Sequence, residues 1–248
     1  MLLLGMNKLL PRLLLFVCVT LSTKTFAATD YQLWQAFFQQ GRISKHAGYW
    51  IDIHHRNKNG FVQNLNTELF RFGGTYFVNN QNRLTAGYAY ILHFPSLENQ
   101  KFVRQEHRPW QMYQYVHKGK KLSLQGALRA EQRFLQKTKG ETIVPGYDFR
   151  LRFRLAVIFS YKLNKTKLPC GDILLVLNNE AMANGYSSDK FKVFDQNRAF
   201  AGIGFQITET FQVQAGYMHF YFATAKGYDH AHVPRIFFIH TPDFRKNK

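Results

Sequence analysis

Polar and apolar side chains alternate along most of the chain after residue 30. The stretch Asp148–Tyr161 shows the pattern best: one set of alternate positions is phenylalanine, leucine, valine and tyrosine, and the other begins Asp148, Arg150, Arg152, Arg154. Because successive side chains of a β-strand point to opposite faces, this pattern predicts a strand with one apolar and one charged face. A helix would distribute the same arginines around its circumference.

Similar segments recur to the end of the chain. They are typically about ten or more residues long, which is enough to cross a bilayer at a tilt, and aromatic residues cluster near their ends. The predicted connections alternate between short turns and longer loops, the long ones at residues 95–105, 137–146, 185–194 and 224–231. We therefore predict an all-β chain folded as an antiparallel transmembrane β-barrel of 10–12 strands. A secreted soluble β-sandwich is the alternative, since alternation by itself also fits that fold.

The number of segments conflicts with the expected parity. Eleven are predicted, near residues 31–40, 47–56, 67–78, 83–94, 106–117, 121–135, 147–161, 171–182, 196–207, 210–222 and 232–240. Single-chain bacterial barrels usually have an even number of strands. We therefore expect either that Tyr31–Gln40 is not an ordinary wall strand, leaving ten, or that one strand is missing from the set, giving twelve.

The amino-terminal segment has the order of a secretory signal. Lys8 and Arg12 precede the apolar run 13–19, and Thr25-Phe26-Ala27 supplies small residues at the cleavage position. The apolar run is far shorter than the roughly 20 residues of a spanning helix. We predict a signal peptide over residues 1–27, with translation starting at Met1 or Met6, and an outer-membrane barrel domain over residues 28–248.

Composition and charge narrow the class of protein further. The chain has 248 residues, 46% hydrophobic and 16% aromatic, and a formal net charge of +18. These values argue against disorder, and cleavage of the signal would leave +15 because three basic residues and no acid are lost. The predicted export makes nucleic acid an improbable partner; we expect outer-membrane lipid, lipopolysaccharide and the assembly machinery instead. The oligomeric state stays open.

If the apolar face contacts lipid, the charged face points into the barrel. The predicted interior network comprises Asp52, His54, Arg56, Arg71, Glu106, Arg108, Arg129, Glu131, Arg133, Asp148, Arg150, Arg152, Arg154, Glu180 and Arg198. Opposite charges on neighbouring strands lie within pairing distance. A barrel of this size is more easily filled than open. We predict a structural plug of ion pairs or, because arginines outnumber acids, a narrow conduit that prefers anions.

An enzymatic alternative requires an activated nucleophile. Outer-membrane lipases and deacylases use a serine activated by a histidine, and no adjacent pair of that kind is found here. A dyad of His54 with Ser123 or Ser160 stays open as an alternative. His230-x-His232 would supply only half a metal site. We predict no catalytic residues, no metal and no cofactor.

Several landmarks in order resemble one family. They are Glu106-x-Arg108-x-Trp110, the run 129–134, Arg150-x-Arg152-x-Arg154, Asn179-Glu180, and the run 194–198 that leads to Gly202-x-Gly204. Over about residues 30–240 the chain resembles the domain-of-unknown-function 2490 family of predicted bacterial outer-membrane barrels. The resemblance implies a barrel in the outer membrane and no established activity. The chain departs at its end, where Thr241-Pro242-Asp243-Phe244 and a basic tail replace the usual terminal aromatic residue.

Overall fold

The computed structural model describes residues 29–58, 64–95, 102–140, 142–164, 170–187, 192–224 and 227–245. Within them lie twelve strands: β1 (Thr29–Tyr31), β2 (Leu33–Arg42), β3 (Ala47–Lys58), β4 (Asn64–Phe77), β5 (Asn82–His93), β6 (Arg104–Lys118), β7 (Leu122–Lys139), β8 (Thr142–Lys162), β9 (Ile173–Ser187), β10 (Phe194–Gln206), β11 (Phe211–Ala223) and β12 (Tyr228–His240). The predicted signal peptide lies outside the described residues. No helix among these residues has the length and apolar character that a membrane span requires.

The strands form one sheet that closes on itself. Each strand from β2 to β12 pairs antiparallel with the next along the chain, and β12 pairs parallel with β2, so that Arg235 lies opposite Trp34 and His240 opposite Gln39. β1 extends the line of β2 along the same edge of β12 after a break at Gln32. The wall is therefore a closed, mostly antiparallel barrel of eleven strands.

The closed sheet corrects the expected strand parity. An even count is required only when every neighbouring pair is antiparallel, and the single parallel contact between β2 and β12 makes eleven permissible. Leu33–Arg42 is thus a wall strand. Eleven strands fall within the predicted range of 10–12, and only the expectation of an even number, ten or twelve, is wrong. The β-sandwich alternative is wrong too, because a single closed sheet replaces two facing sheets.

Backbone pairing beyond His240 strengthens the parallel contact. The Arg42 amide donates to the Pro242 carbonyl at 2.9 Å, and the Phe244 amide donates to the Arg42 carbonyl at 2.8 Å. The carboxyl-terminal segment therefore continues along β2 after β12 has ended. Residues 242–244, which depart from the terminal aromatic residue expected of such barrels, therefore help to close the wall.

One of the predicted long loops is instead largely strand, and strands extend into two others. β7 and β8 continue to Lys139 and from Thr142, so residues 137–146 form most of a hairpin tip with a turn at Gly140. β9 likewise extends to Ser187 and β12 begins at Tyr228. The sequence prediction failed at residues 137–146 because lysine, threonine and glycine are typical of loops. In the structure, the backbone hydrogen bonds between β7 and β8 continue through these residues to the pair Lys139–Thr142.

The two faces of the wall differ in polarity. Large apolar side chains on the outside are well exposed, as for Phe72, Leu128, Phe153 and Leu155, each close to half exposed. Their sequence neighbours on the inside, including Arg71, Arg129 and Arg152, are buried. The alternation predicted along β8 is thus an apolar exterior and a charged interior.

Inward-facing glycines allow neighbouring strands and rings to approach closely. Gly202 and Gly216 are cross-strand partners on β10 and β11. A Cβ added to Gly202 would lie 2.4 Å from the Ala215 carbonyl oxygen and 2.5 Å from the Phe200 ring. The glycine at position 202 therefore serves close packing of neighbouring strands.

Candidate functional site in the barrel interior

The interior charges are organised around carboxylates that lie completely out of solvent. Glu106 on β6 is 0% exposed. It accepts from Arg133 Nε at 2.7 Å, from Arg108 Nε at 2.7 Å and from His93 Nε2 at 2.8 Å. Charge-assisted bonds of this kind are the strong ones. Glu106 therefore connects three strands, β5, β6 and β7, through one side chain.

Glu131 on β7 is the second centre and is also 0% exposed. Its Oε2 accepts from Arg152 Nε at 2.9 Å, and Arg154 Nη2 forms an ion pair with Oε1 at 3.1 Å. Arg108 and Arg129 approach the same carboxylate at 3.6 and 3.7 Å. One negative charge is thus shared by four guanidinium groups from three strands.

The register of β7 against β8 explains this sharing. Glu131 lies directly opposite Arg152, but Arg129 lies opposite Arg154 and Arg133 lies opposite Arg150. Like charges that face each other across two strands destabilise the pair. The side chains therefore reach diagonally or to further strands. Arg133 bonds to Glu106 on β6 instead of pairing across the ladder.

Two further carboxylates extend the network toward β9 and β10. Glu180 accepts from Arg154 Nη1 at 3.0 Å and from Arg198 Nη1 at 3.1 Å. Asp195 accepts from Arg152 Nη1 at 2.9 Å. The chain from Glu106 to Asp195 is therefore continuous across six neighbouring strands, β5 to β10.

Asp52 forms a separate centre on β3. Its carboxylate, 0% exposed, accepts from Arg71 Nε at 3.1 Å and contacts His54 Nε2 at 3.0 Å, and the Trp50 indole also donates to it. The Arg71 guanidinium lies 5.6 Å from the Trp110 ring. This arrangement joins β3 and β4 on the side of the barrel away from Asp195.

The remaining predicted residues lie at the margins of the network. Asp148 pairs with Arg104 at 3.3 Å near the long-loop end. Arg150, half-buried, lies beside Asp148 on the chain. Arg56 stacks 3.9 Å above the Trp34 ring, and Arg198 lies 4.7 Å from that ring. The structure thus places all fifteen predicted side chains on the inward parity of their strands.

Several interior polar residues were missed by the sequence reasoning. Arg104 and His93 lie near strand ends, where alternation is hard to follow. Asp195 faces inward because a β-bulge shifts the register between Phe194 and Gln196. Arg235 shares its face with Val233 and Phe237, so alternation along this strand indicates an apolar face at that position. No local signal would have found Arg235.

Buried apolar side chains lie beside the charges. One buried cluster contains Trp34, Val176, Phe200, Met218 and Val233, and a second contains Leu69, Ile91, Trp110 and Met112. Arg235 lies over the Phe200 ring at 3.4 Å, which buries its guanidinium against an aromatic face. The inner face of the wall therefore carries both ion pairs and apolar clusters.

The histidines singled out from the sequence lie apart from these centres. His230 and His232 belong to β12, not to a loop, and their rings lie 5.7 and 6.3 Å from the ring of His219 on the outer face. Within the residues that the structure describes, no group of three or more metal-ligating side chains is arranged to hold an ion. The outer histidines instead belong to an aromatic patch with Tyr217 and Tyr31.

The serine partners considered for His54 bond elsewhere. His54 Nε2 contacts Asp52, and its ring packs edge-on against Phe38 at 5.0 Å. Ser123 Oγ donates to the His117 carbonyl at 3.2 Å, and Ser160 lies opposite Val176 on the β8–β9 ladder. The geometry offers no support for a dyad that joins His54 to either serine.

The closed sheet and its charged interior define the molecule as a β-barrel protein. The chain belongs to the family described as Protein of unknown function (DUF2490), which matches residues 31–231. Comparison with curated proteins gave no match, and comparison with solved structures gave none either. The family membership predicted from the landmarks is therefore confirmed.

Proposed function

We propose that this protein is a bacterial outer-membrane β-barrel, exported by a signal peptide over residues 1–27, whose interior is a structural plug of ion pairs. It acts as a wall component and not as an enzyme. The observation that carries this proposal is the polarity of the closed sheet. Half-exposed phenylalanine and leucine side chains cover the outside, while the carboxylates Asp52, Glu106 and Glu131 are buried inside.

The apolar exterior supports hydrocarbon as the surrounding medium. A monomeric barrel in water would expose far more apolar surface than soluble proteins commonly tolerate in one patch. A barrel in lipid satisfies its backbone groups because the sheet has no open edge, and the parallel contact of β2 with β12 completes that closure here. Lipid and, at the long-loop end, lipopolysaccharide are the partners that this surface fits, and the assembly machinery is the partner that folding into a membrane requires.

The interior network supports the plug. Glu106 and Glu131 each bind arginines from neighbouring strands, and the two apolar clusters occupy the space beside them. Burial of charges in this number is tolerable because each carboxylate is paired and hydrogen-bonded. A plug of this kind holds the wall strands together from within.

Cell fractionation of a strain that expresses the full chain tests the location. We expect the protein in the outer-membrane fraction, with a band on unheated gels that migrates differently from the heat-unfolded chain. Recovery of the intact chain in the soluble periplasmic fraction would overturn the proposal.

The arginine surplus favours a second candidate, a narrow conduit that prefers anions. Arg56 and Arg235 contact aromatic rings where other arginines contact acids. This surplus gives the interior a positive field, which selects anions along any open path. Planar-bilayer recording separates the two candidates. The plug predicts no conductance above background, and a steady anion-selective conductance would favour the conduit.

A further inference from the structure

The outer face carries a groove whose floor is made of small side chains. The floor residues are successive cross-strand partners on β4 to β9: Gly74, Ala86, Gln111, Ala130, Phe153 and Ala183. Larger side chains form a ridge on one side: Tyr76, Leu84, Tyr113, Leu128 and Leu155. A second ridge lies on the other side of the floor and does not line the cavity; it consists of Phe72, Tyr88, Pro109, Gln132, Leu151 and Tyr186. The groove has a volume of about 1060 Å³ and is lined mostly by carbon.

Two details keep the floor open. A Cβ added to Gly74 would meet no atom within 4 Å. Phe153, the one large floor residue, leans toward the second ridge, since a Cβ on Gly185 would lie 2.6 Å from its ring. The only polar floor side chain, Gln111, exchanges hydrogen bonds of 3.0 and 3.3 Å with Gln132. The groove is therefore an apolar channel whose amides are satisfied.

The groove runs obliquely across the wall, from the end of the barrel with short turns toward the middle of the strands. Tyr76 is one residue from the end of β4 at Phe77, whereas Ala181, the last residue of the first ridge line, is eight residues from the start of β9 at Ile173. At about 3.3 Å per residue and a strand tilt of about 40°, this difference is roughly 18 Å of depth. That is close to the depth of one leaflet.

A basic corner lies where the groove meets the short-turn end. The Tyr76 ring stacks on His46 with ring centres 5.6 Å apart. A second cavity of about 700 Å³ lies beside it and is lined by turn residues together with Arg42, Lys45, His46 and Arg245. Arg42 is held by Asn80 Oδ1 at 3.0 Å and by the Lys45 carbonyl at 2.6 Å, and Arg245 pairs with Asp243 at 2.6 Å. Lys45 is exposed, and the corner is net positive.

We propose that this groove holds one glycerophospholipid of the short-turn leaflet, with an acyl chain on the Gly74–Ala130 floor and its phosphate at Lys45 and His46. The inference rests on the proposed membrane location. A phosphate diester complements the basic corner, and an acyl chain complements an apolar channel that leads away from it for the depth of one leaflet.

The width of the groove selects a chain over a helix. The cavity lies between the floor residues and the first ridge, which are two residues apart on each strand, or roughly 7 Å between backbones. A helix with its side chains is about 10–12 Å across. One or two extended acyl chains fit in that space, and a membrane-spanning helix does not.

Native mass spectrometry of the detergent-purified full chain, with phosphatidylglycerol as the probe, tests this inference. Gly74→Leu fills the floor, and Gly126→Leu is the matched control, because Gly126 also lies on the outer face in open space but, behind the Leu128 ridge, does not line the groove. We expect Gly74→Leu to lower phosphatidylglycerol retention by roughly tenfold and Gly126→Leu to leave it unchanged. Lys45→Gln should lower retention, and Lys121→Gln on another turn should not.

The other outcomes are decisive. Equal retention by the two leucine variants, with both fractionating to the outer membrane and migrating as folded barrels, overturns the lipid site and leaves the proposed location intact. Loss of a dimer mass in Gly74→Leu, with lipid retention unchanged, also overturns it and assigns the groove to a second copy. Recovery of the wild-type chain in the soluble periplasm overturns the location itself.

Discussion

At the scale of single residues, the interior is dominated by a few carboxylates, each surrounded by several arginines. Glu131 is contacted by Arg152 and Arg154 at bonding distance and has two further guanidinium groups nearby. A buried ion pair by itself contributes little net stability, but removing one member leaves the others uncompensated in a poorly solvated interior. The stability lost when one member of a pair is substituted is therefore larger than the net stability that the intact ion pair contributes.

Glu131→Gln keeps the size of the side chain and removes its charge. We expect the free energy of unfolding to fall by about 3–5 kcal/mol, because Arg152 and Arg154 lose their shared counter-charge while still buried. Urea titration of the barrel in lipid vesicles measures this. Glu209→Gln, in the exposed turn between β10 and β11, is the control and should change stability by less than about 0.5 kcal/mol. Equal effects of the two substitutions would contradict the role of Glu131.

Arg235→Met should not destabilise the fold, in contrast to Glu131→Gln. Arg235 is 4% exposed and lies over the Phe200 and Phe237 rings at 3.4 and 4.1 Å. Methionine keeps the aliphatic stem and removes one surplus positive charge, so we expect stability to stay equal or rise by about 1 kcal/mol. The same urea titration measures it. Destabilisation by more than about 2 kcal/mol would show that the guanidinium itself stabilises the fold.

Alternation along each strand was enough to predict which charged residues point inward, because a strand has only two faces. It could not predict which carboxylate each arginine contacts. That depends on register, and the opposed arginines at positions 129 and 154 show that direct partners do not always pair. Arg235 was unpredictable because its stretch of the inner face is apolar.

At the scale of whole strands, the parallel contact of β2 with β12 decides how the barrel closes. Six consecutive pairs, from Arg235–Trp34 to His240–Gln39, form this contact, and β1 adds three more pairs beside β12. The alternation of polar and apolar residues could not predict this parallel contact. Alternation indicates which side chains share a face of a strand, but not the direction of that strand relative to a distant one. The closing pair is therefore the least predictable element of the fold.

Cysteines placed across this contact test its register. Gln35 and Ile236 are direct partners on the outer face, and parallel neighbours lie about 4.8 Å apart, within the range for a disulfide. In a Cys170→Ser background, Gln35→Cys with Ile236→Cys should form a disulfide, detected by peptide mapping under non-reducing conditions. Gln35→Cys with Phe238→Cys should not, because two residues of offset place the pair roughly 8 Å apart. A disulfide in the second pair alone would contradict the observed register.

At the scale of the whole molecule, the two ends of the barrel differ. One end carries short turns such as 78–81 and 207–210, and the other carries the β7–β8 hairpin, which extends to Gly140. Outer-membrane barrels place short turns in the periplasm and long connections outside the cell. In the proposed outer-membrane location, this rule would open the proposed lipid groove at the periplasmic leaflet and turn the hairpin tip toward the medium.

Single cysteines at the two ends determine the orientation. In a Cys170→Ser background, Lys139→Cys lies at the hairpin tip and Lys120→Cys lies in the short turn between β6 and β7. A membrane-impermeant maleimide applied to intact cells should label Lys139→Cys and leave Lys120→Cys unlabelled, because the outer membrane shields the periplasmic turn. Permeabilised cells should give labelling of both, which controls for the accessibility of each thiol. Labelling of Lys120→Cys alone in intact cells would reverse the orientation and move the groove to the outer leaflet, where the phosphate at Lys45 would belong to a different lipid.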